Sequence, residues 1–330
     1  MTTHTRIERP RIIVTRKLLP AVEERMAQLF DAQFNTADIA FEKAELSAAM
    51  DDCDVFVPTV TDRIDAELIA SAPPRLRLIA NYGAGVNHID LAAAKAKGIM
   101  VTNTPGVFTD DTADLTMALI LSVPRRLNEG EKLMRSGRWD GWRPSGMLGH
   151  RIGGKTLGII GFGRIGEAVA MRAKAFGMNI LYTKRKRLPP SVEETQGIVF
   201  EPELDRLIAR SDIVSLHCPL TALTNKMIDA RRIGLMKPEA YLINTSRGEL
   251  VDESALIKAL QKGQIAGAGL DVYTHEPAVD PALLALSNVV LLPHLGSATF
   301  EGREASGERV IANIRIWADG HRPPDQVFED

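Results

Sequence analysis

Three side chains in the second half of the sequence could together protonate an oxygen that lies next to a carboxylate. Arg247 carries a planar guanidinium fork able to grip a carboxylate and a neighbouring carbonyl at once. His294 is the residue type best suited to donating a proton near neutral pH. Glu276, set beside it, would fix the imidazole tautomer and stabilise its protonated form. Reduction of a 2-oxo acid needs those groups: a cation for the carboxylate and polarised carbonyl, and a proton for the developing alkoxide. It also needs a hydride donor. Taken singly, each residue has a plainer reading, as a turn charge, a helix-start acid before Pro277 and a satisfied loop histidine.

A place for the donor lies upstream. Gly161-Phe162-Gly163-Arg164-Ile165-Gly166 directly follows the apolar run Thr156–Ile160 and opens a helical pattern over Ile165–Phe176. A G-x-G-x-x-G pattern alone is weak, but between a strand and a helix it marks a dinucleotide site. Gly161 would permit the tight turn, Gly163 the approach of a pyrophosphate and Gly166 close strand–helix packing. Arg164 and Ile165 would present helix N-terminal N–H groups to the phosphates. The next strand runs into Thr183-Lys184-Arg185-Lys186-Arg187. Lys184 stands 18 residues past Gly166 (184 − 166), where an NAD-binding protein would carry an acid. A basic cluster there suits a 2′-phosphate, so Lys184 and Arg185 predict a preference for NADPH, with NADH as the alternative.

These residues need a scaffold that brings strand ends together. Short β-branched runs alternate with amphipathic stretches, the signature of βαβ units. Strands are predicted at Arg11–Thr15, Asp54–Pro58, Leu76–Asn81 and Met100–Thr102, and again at Thr156–Ile160, Asn179–Thr183, Ile213–His217, Tyr241–Asn244, Ala266–Leu270 and Val289–Leu292. Helices are predicted at Ala21–Phe30, Ile64–Ala70, Leu91–Lys97, Ile165–Phe176, Glu203–Ala209 and Glu253–Lys262. Two strand series imply an α/β fold of two doubly wound parallel sheets, Rossmann- or flavodoxin-like, separated by a cleft. Arg247, Asp271, Glu276 and His294 all follow predicted strand ends, where such sheets bind ligands. Asp110–Arg135 reads as one long helix that Pro124 should kink or stop, two separate helices being the alternative.

Composition narrows the class. At 330 residues the chain exceeds what one core usually serves. A net charge of −2 offers no general field for nucleic acid. Cys53 and Cys218 have no zinc-ligand spacing, and two cysteines fit a reducing, cytoplasmic setting. No signal-like leader and no membrane-length apolar run stands out.

The motifs Asn81-Tyr82-Gly83-Ala84-Gly85-Val86-Asn87-His88-Ile89-Asp90, Asn103-Thr104-Pro105-Gly106, Gly161–Gly166, Asn244–Gly248, Gly269–Pro277 and Pro293–Thr299 occur in this order over almost the full length. The spacings are 29 residues from Arg247 to Glu276 (276 − 247) and 18 from Glu276 to His294 (294 − 276). In this pattern the chain resembles the D-isomer-specific 2-hydroxyacid dehydrogenases, in particular their glyoxylate/hydroxypyruvate reductase branch. Asn87 departs from the more usual aspartate of its motif. Formate dehydrogenases carry glutamine where this chain has Glu276, and D-lactate dehydrogenases usually carry an aromatic residue soon after the histidine.

The resemblance implies that the N–H groups of Ala84 and Gly85 hold the substrate carboxylate and that Val60 walls the pocket. Arg247 would bind the 2-oxo group, and His294 with Glu276 would donate the proton. Asp271 would bond the nicotinamide carboxamide, Thr112 would meet the cofactor phosphates, and Cys218, Pro219, Thr224, Thr245 and Gly296 would line the cofactor pocket. It further implies a discontinuous substrate domain, 1–106 with 300–330, around a dinucleotide domain, 107–299. A homodimer would be built through the long helix and Trp139–Trp142. Two other classes compete: a nicotinamide-sensing corepressor like the C-terminal-binding proteins, and a metal-dependent hydrolase, for which the histidines lack compact ligand spacing.

Overall fold

Pairing of short apolar runs dominates the architecture, because a strand buried on both faces can place alternate residues against two helical layers. A computed structural model describes residues 7–327. The chain divides into two compact units, Met1–Phe108 with Ala298–Asp330 and Thr109–Ser297.

The first unit runs β1 (Arg11–Val14), α1 (Pro20–Leu29), β2 (Asp31–Phe34), α2 (Lys43–Asp51), β3 (Val55–Val57), α3 (Ala66–Ser71), β4 (Leu78–Ala80), α4 (Leu91–Lys97) and β5 (Met100–Thr102). Its five strands are all parallel, in the order β2-β1-β3-β4-β5. Ile12, Val14, Val55 and Val57 face one helical layer, and Ile13 and Phe56 face the other.

The second unit begins with α5 (Thr109–Ser122) and α6 (Leu127–Arg135). It continues through β6 (Thr156–Ile160), α7 (Arg164–Ala175), β7 (Asn179–Thr183), α8 (Pro190–Gln196), β8 (Ile198–Phe200), α9 (Leu204–Arg210) and β9 (Ile213–Leu216). The last part is α10 (Ala230–Ile233), β10 (Tyr241–Asn244), α11 (Glu253–Gln261), β11 (Gly267–Leu270), α12 (Pro281–Leu284) and β12 (Val289–Leu291). The sheet order is β12-β11-β10-β9-β6-β7-β8, parallel throughout. The order reverses between β6 and β9, so their carboxyl ends form the crevice where such sheets bind ligands. Finally α13 (Phe300–Ala318) belongs to the first unit and packs Val310, Ile311, Ile314 and Trp317 into its core.

The stretch expected as one long helix, Asp110–Arg135, is two helices. Proline at 124 has no N–H to continue the helical ladder. Its carbonyl instead accepts the His150 N–H at 2.9 Å, and Arg126 turns into the left-handed region at φ +56°. No described helix is long and apolar enough to cross a membrane.

Candidate active site

The glycine-rich turn of the second unit shows three glycines with three distinct requirements. Gly161 has φ +93°, and a Cβ there would lie 2.5 Å from the Cys218 N at the end of β9. Only glycine allows this turn to lie so close to the neighbouring strand. A Cβ on Gly166 would lie 2.4 Å from the Gly161 carbonyl oxygen, so the helix can approach the strand only without a side chain. Gly163 differs: an added Cβ would meet nothing within 4 Å. The open side of the turn is therefore where a ligand's pyrophosphate can approach the backbone. Gly163 caps α7 without a side-chain hydrogen bond, so no side chain takes up the first N–H groups, from Arg164 and Ile165 onward, at the positive end of the helix dipole. This arrangement fits a dinucleotide.

At the end of β7 the basic run divides. Arg187 places its guanidinium on both oxygens of Glu193, at 2.8 and 2.6 Å, and lies over the Phe200 ring. The Tyr182 hydroxyl donates to the same carboxylate at 2.6 Å and accepts the Leu188 N–H. The Arg187 guanidinium and the Tyr182 hydroxyl together hold the Glu193 carboxyl down to about 2. Lys184, Arg185 and Lys186 pair with no carboxylate among the described residues, so their charges remain available to a ligand.

The acid–base group forms on the loops after β10, β11 and β12. His294 Nδ1 lies 2.7 Å from Glu276 Oε2, while Glu276 Oε1 accepts the Tyr273 N–H at 2.9 Å. Burial pushes the Glu276 carboxyl up, but the His294 and Tyr273 bonds outweigh it and hold it below its ordinary value. Ionised Glu276 makes Nδ1 the donor and leaves Nε2 outside that bond. The turn carrying Arg247 is braced by its own strand: Asn244 Nδ2 donates to the Arg247 carbonyl at 2.8 Å, and Asn244 Oδ1 accepts the Ser246 N–H at 3.0 Å. Gly248 follows because a Cβ there would lie 2.0 Å from the Tyr273 carbonyl carbon. The Arg247 turn thus rests directly on the loop that carries Glu276. Burial lowers the Arg247 pKa, and the charges of Glu249 and Glu276 oppose that fall. The Arg247 guanidinium and the Glu276 carboxylate thus feel each other's charge.

Asp271 anchors this group from beneath. It is fully buried, and its two oxygens accept the Leu295 and Gly296 N–H groups at 2.6 and 2.8 Å. Burial pushes its carboxyl up, against the pull of those two bonds. Its carbonyl also accepts the His294 N–H at 3.0 Å. The expected carboxamide contact is left with the second lone pairs of a side chain sealed from solvent. Thr112 is likewise engaged: its buried hydroxyl donates to the Gly296 carbonyl at 2.7 Å. That bond pins the His294 loop to α5. Thr245, also buried, shares a 2.8 Å hydroxyl bond with Thr116. Cys218 is buried with its thiol 3.6 Å from the Met227 sulfur, and burial pushes it up to about 11. Pro219 and Thr224 close a loop after β9, with the Thr224 hydroxyl donating to the Pro219 carbonyl at 2.7 Å.

In the first unit the Gly83–Gly85 turn turns its carbonyls inward. Asn81 Nδ2 donates to Gly83 and Gly85 at 2.9 Å each, and Asn103 Nδ2 to Ala84 at 2.7 Å. The N–H groups of Ala84 and Gly85 donate to no described residue, as an anion-binding turn requires. Val60 is 43% exposed.

A family model described as the D-isomer specific 2-hydroxyacid dehydrogenase, NAD binding domain, matches residues 117–296, more than half of the chain. The chain belongs to the D-isomer specific 2-hydroxyacid dehydrogenases. This dehydrogenase is accordingly a nicotinamide-dependent oxidoreductase. It is 45% identical to the glyoxylate reductase of Thermococcus litoralis over 98% of each chain. A crystal structure of a glyoxylate reductase from Paecilomyes thermophila superposes with a TM-score of 0.86 at 34% identity, covering 97% of this chain and 99% of that one. The NADPH-dependent glyoxylate/hydroxypyruvate reductase of Sinorhizobium meliloti, solved with NADP and malonate, gives a TM-score of 0.85 at 37% identity over 97% of each chain.

Two residues beside the candidate site escaped the sequence reading. His217, just past β9, places Nε2 2.8 Å from the Ser215 hydroxyl, and burial pushes the imidazole down to about 4, so it stays neutral. Ser246 donates its hydroxyl to the Cys218 carbonyl at 2.7 Å and ties the Arg247 turn to β9. Both stand at strand ends flanking residues already singled out, and that position is the signal that could have found them.

Proposed function

We propose that this dehydrogenase reduces glyoxylate and hydroxypyruvate to their 2-hydroxy acids, with NADPH preferred over NADH. The observation that carries the reading is the 2.7 Å His294–Glu276 pair on a loop packed against the Arg247 turn, at the carboxyl ends of a Rossmann sheet. Glu276 holds the imidazole by Nδ1, so a proton on Nε2 is presented to the substrate oxygen. Arg247 offers its positive charge to the 2-oxo group, and the N–H groups of Ala84 and Gly85 take the carboxylate. The reduced nicotinamide, when bound, supplies the hydride. The substrate choice is supported by the relatives named as glyoxylate or glyoxylate/hydroxypyruvate reductases.

The uncommitted charges of Lys184 and Arg185 support recognition of a 2′-phosphate. Free thiols at Cys53 and Cys218 support a cytoplasmic setting. A homodimer would cover the exposed side chains of Met134, Trp139, Trp142 and Leu148 in the second unit. The test is a steady-state panel of glyoxylate, hydroxypyruvate, pyruvate and phenylpyruvate with each reduced cofactor. The highest kcat/KM is expected for the first two with NADPH. Cofactor binding and dimerisation without turnover of any acid would overturn the proposal and favour a nicotinamide sensor.

A further inference from the structure

The carbonyl-inward turn at Gly83–Gly85 is held partly from the far end of the chain. Asn103, whose carboxamide donates to the Ala84 carbonyl, is itself gripped at both main-chain groups. Its N–H donates to the Asp325 carbonyl at 3.2 Å, and its carbonyl accepts Asn313 Nδ2 at 3.3 Å. Asn313 Nδ2 also donates to Asp325 Oδ2 at 3.0 Å, and Asn313 Oδ1 accepts the Asp325 N–H at 3.3 Å. Arg309 closes the network with a fork on both Asp325 oxygens, at 2.6 and 2.7 Å. Asp325 and Asn313 are buried, so each bond is made in a low-dielectric setting where a missing partner is costly. The tail then runs on along β5, with the Val327 N–H donating to the Val101 carbonyl at 2.8 Å.

We propose that Asn313 and Asp325 are positioning residues for the substrate carboxylate, acting through Asn103 on the Ala84–Gly85 turn. Tail packing alone would need only apolar contact. This network instead ends on an acceptor inside the turn and fixes which way its N–H groups face. The inference rests on the carboxylate reading of that turn given above.

The test compares the wild type with Asn103→Ala, Asn103→Asp, Asn313→Ala and Asp325→Asn. Kinetics give kcat and KM for glyoxylate, KM for NADPH and the inhibition constant of oxalate. Glyoxylate KM and the oxalate constant are expected to rise together by about tenfold, with kcat within about twofold and NADPH KM unchanged. Asn103→Asp should be worse than Asn103→Ala, because an acceptor would then face the Ala84 carbonyl. Should Asp325→Asn fail to fold, Arg309→Lys keeps the charge, loses the fork and should raise both constants about threefold. Unmoved constants in an active enzyme, or equal effects of Asp and Ala at 103, would overturn this inference alone. A wild type that reduces no 2-oxo acid would overturn the functional reading with it.

Discussion

Glu276 divides its two oxygens between the imidazole of His294 and the backbone N–H of Tyr273, so one carboxylate sets both the tautomer of the acid and the shape of its own loop. The carboxyl sits below its ordinary value despite burial. A depressed carboxylate keeps its charge, and the stability it lends, above the ordinary glutamate value near 4.3. Both are lost only as pH falls through the lowered folded value. Reduction by the wild type should therefore hold level through about pH 5 on its acid side. Glu276→Gln removes the counter-charge of the imidazolium. Its kcat/KM should fall by about tenfold to a hundredfold, and the alkaline limb of its pH profile should move to lower pH. A profile that superimposes on the wild type would remove Glu276 from the proton-donating pair.

His294 occupies the left-handed region at φ +56°, which asparagine tolerates better than alanine. His294→Asn and His294→Ala should both lose turnover by about a hundredfold or more while NADPH binding, read by fluorescence, survives. Urea unfolding should separate them, with alanine less stable by about 1 kcal/mol. Retained turnover in His294→Asn would sink the assignment of the acid.

The strand ends that carry the site could be read from the sequence because parallel strands buried on both faces are short, continuous apolar runs. The edge strands could not: β2 is Asp-Ala-Gln-Phe with half its residues exposed, and β8 is only three residues long. The nineteen-residue α13 was hidden by glycines that weaken helix propensity. Gly307 is there for packing, since a Cβ would lie 2.4 Å from Val22 Cγ1 on α1. In the candidate site, the placement of Arg247, Asp271, Glu276 and His294 after strand ends was legible, whereas the inward hydrogen bonds of Thr112 and Asp271 were not. Those depend on partners far along the chain, such as Gly296 for Thr112, 184 positions away.

Cofactor choice gives a separable test, because the four basic residues after β7 are not equivalent. Lys184→Ala with Arg185→Ala should raise NADPH KM at least about tenfold and NADH KM less than about twofold. Arg187→Ala should behave differently, since its fork is spent on Glu193. It should lower thermal stability while changing the ratio of the two cofactor constants little. Equal losses with both cofactors in the Lys184/Arg185 variant would refute recognition of a 2′-phosphate.

Two glycines offer the sharpest contrast between building the site and opening it. At Gly248 a Cβ would land 2.0 Å from the Tyr273 carbonyl carbon and 2.5 Å from the Thr274 N, both backbone atoms that cannot rotate aside. Gly248→Ala must therefore push the Arg247 turn away from the Glu276 loop. It should cost about 1–3 kcal/mol of stability by overpacking and lower kcat with it. At Gly163 the same methyl meets nothing within 4 Å, and the backbone there suits any residue. Gly163→Ala should leave the melting temperature unchanged and raise cofactor KM, because the methyl would occupy the open side of the turn from which a pyrophosphate approaches. Calorimetry and cofactor titration on the pair decide the matter: a Gly163→Ala protein that binds NADPH like the wild type would show that the dinucleotide does not lie against that turn.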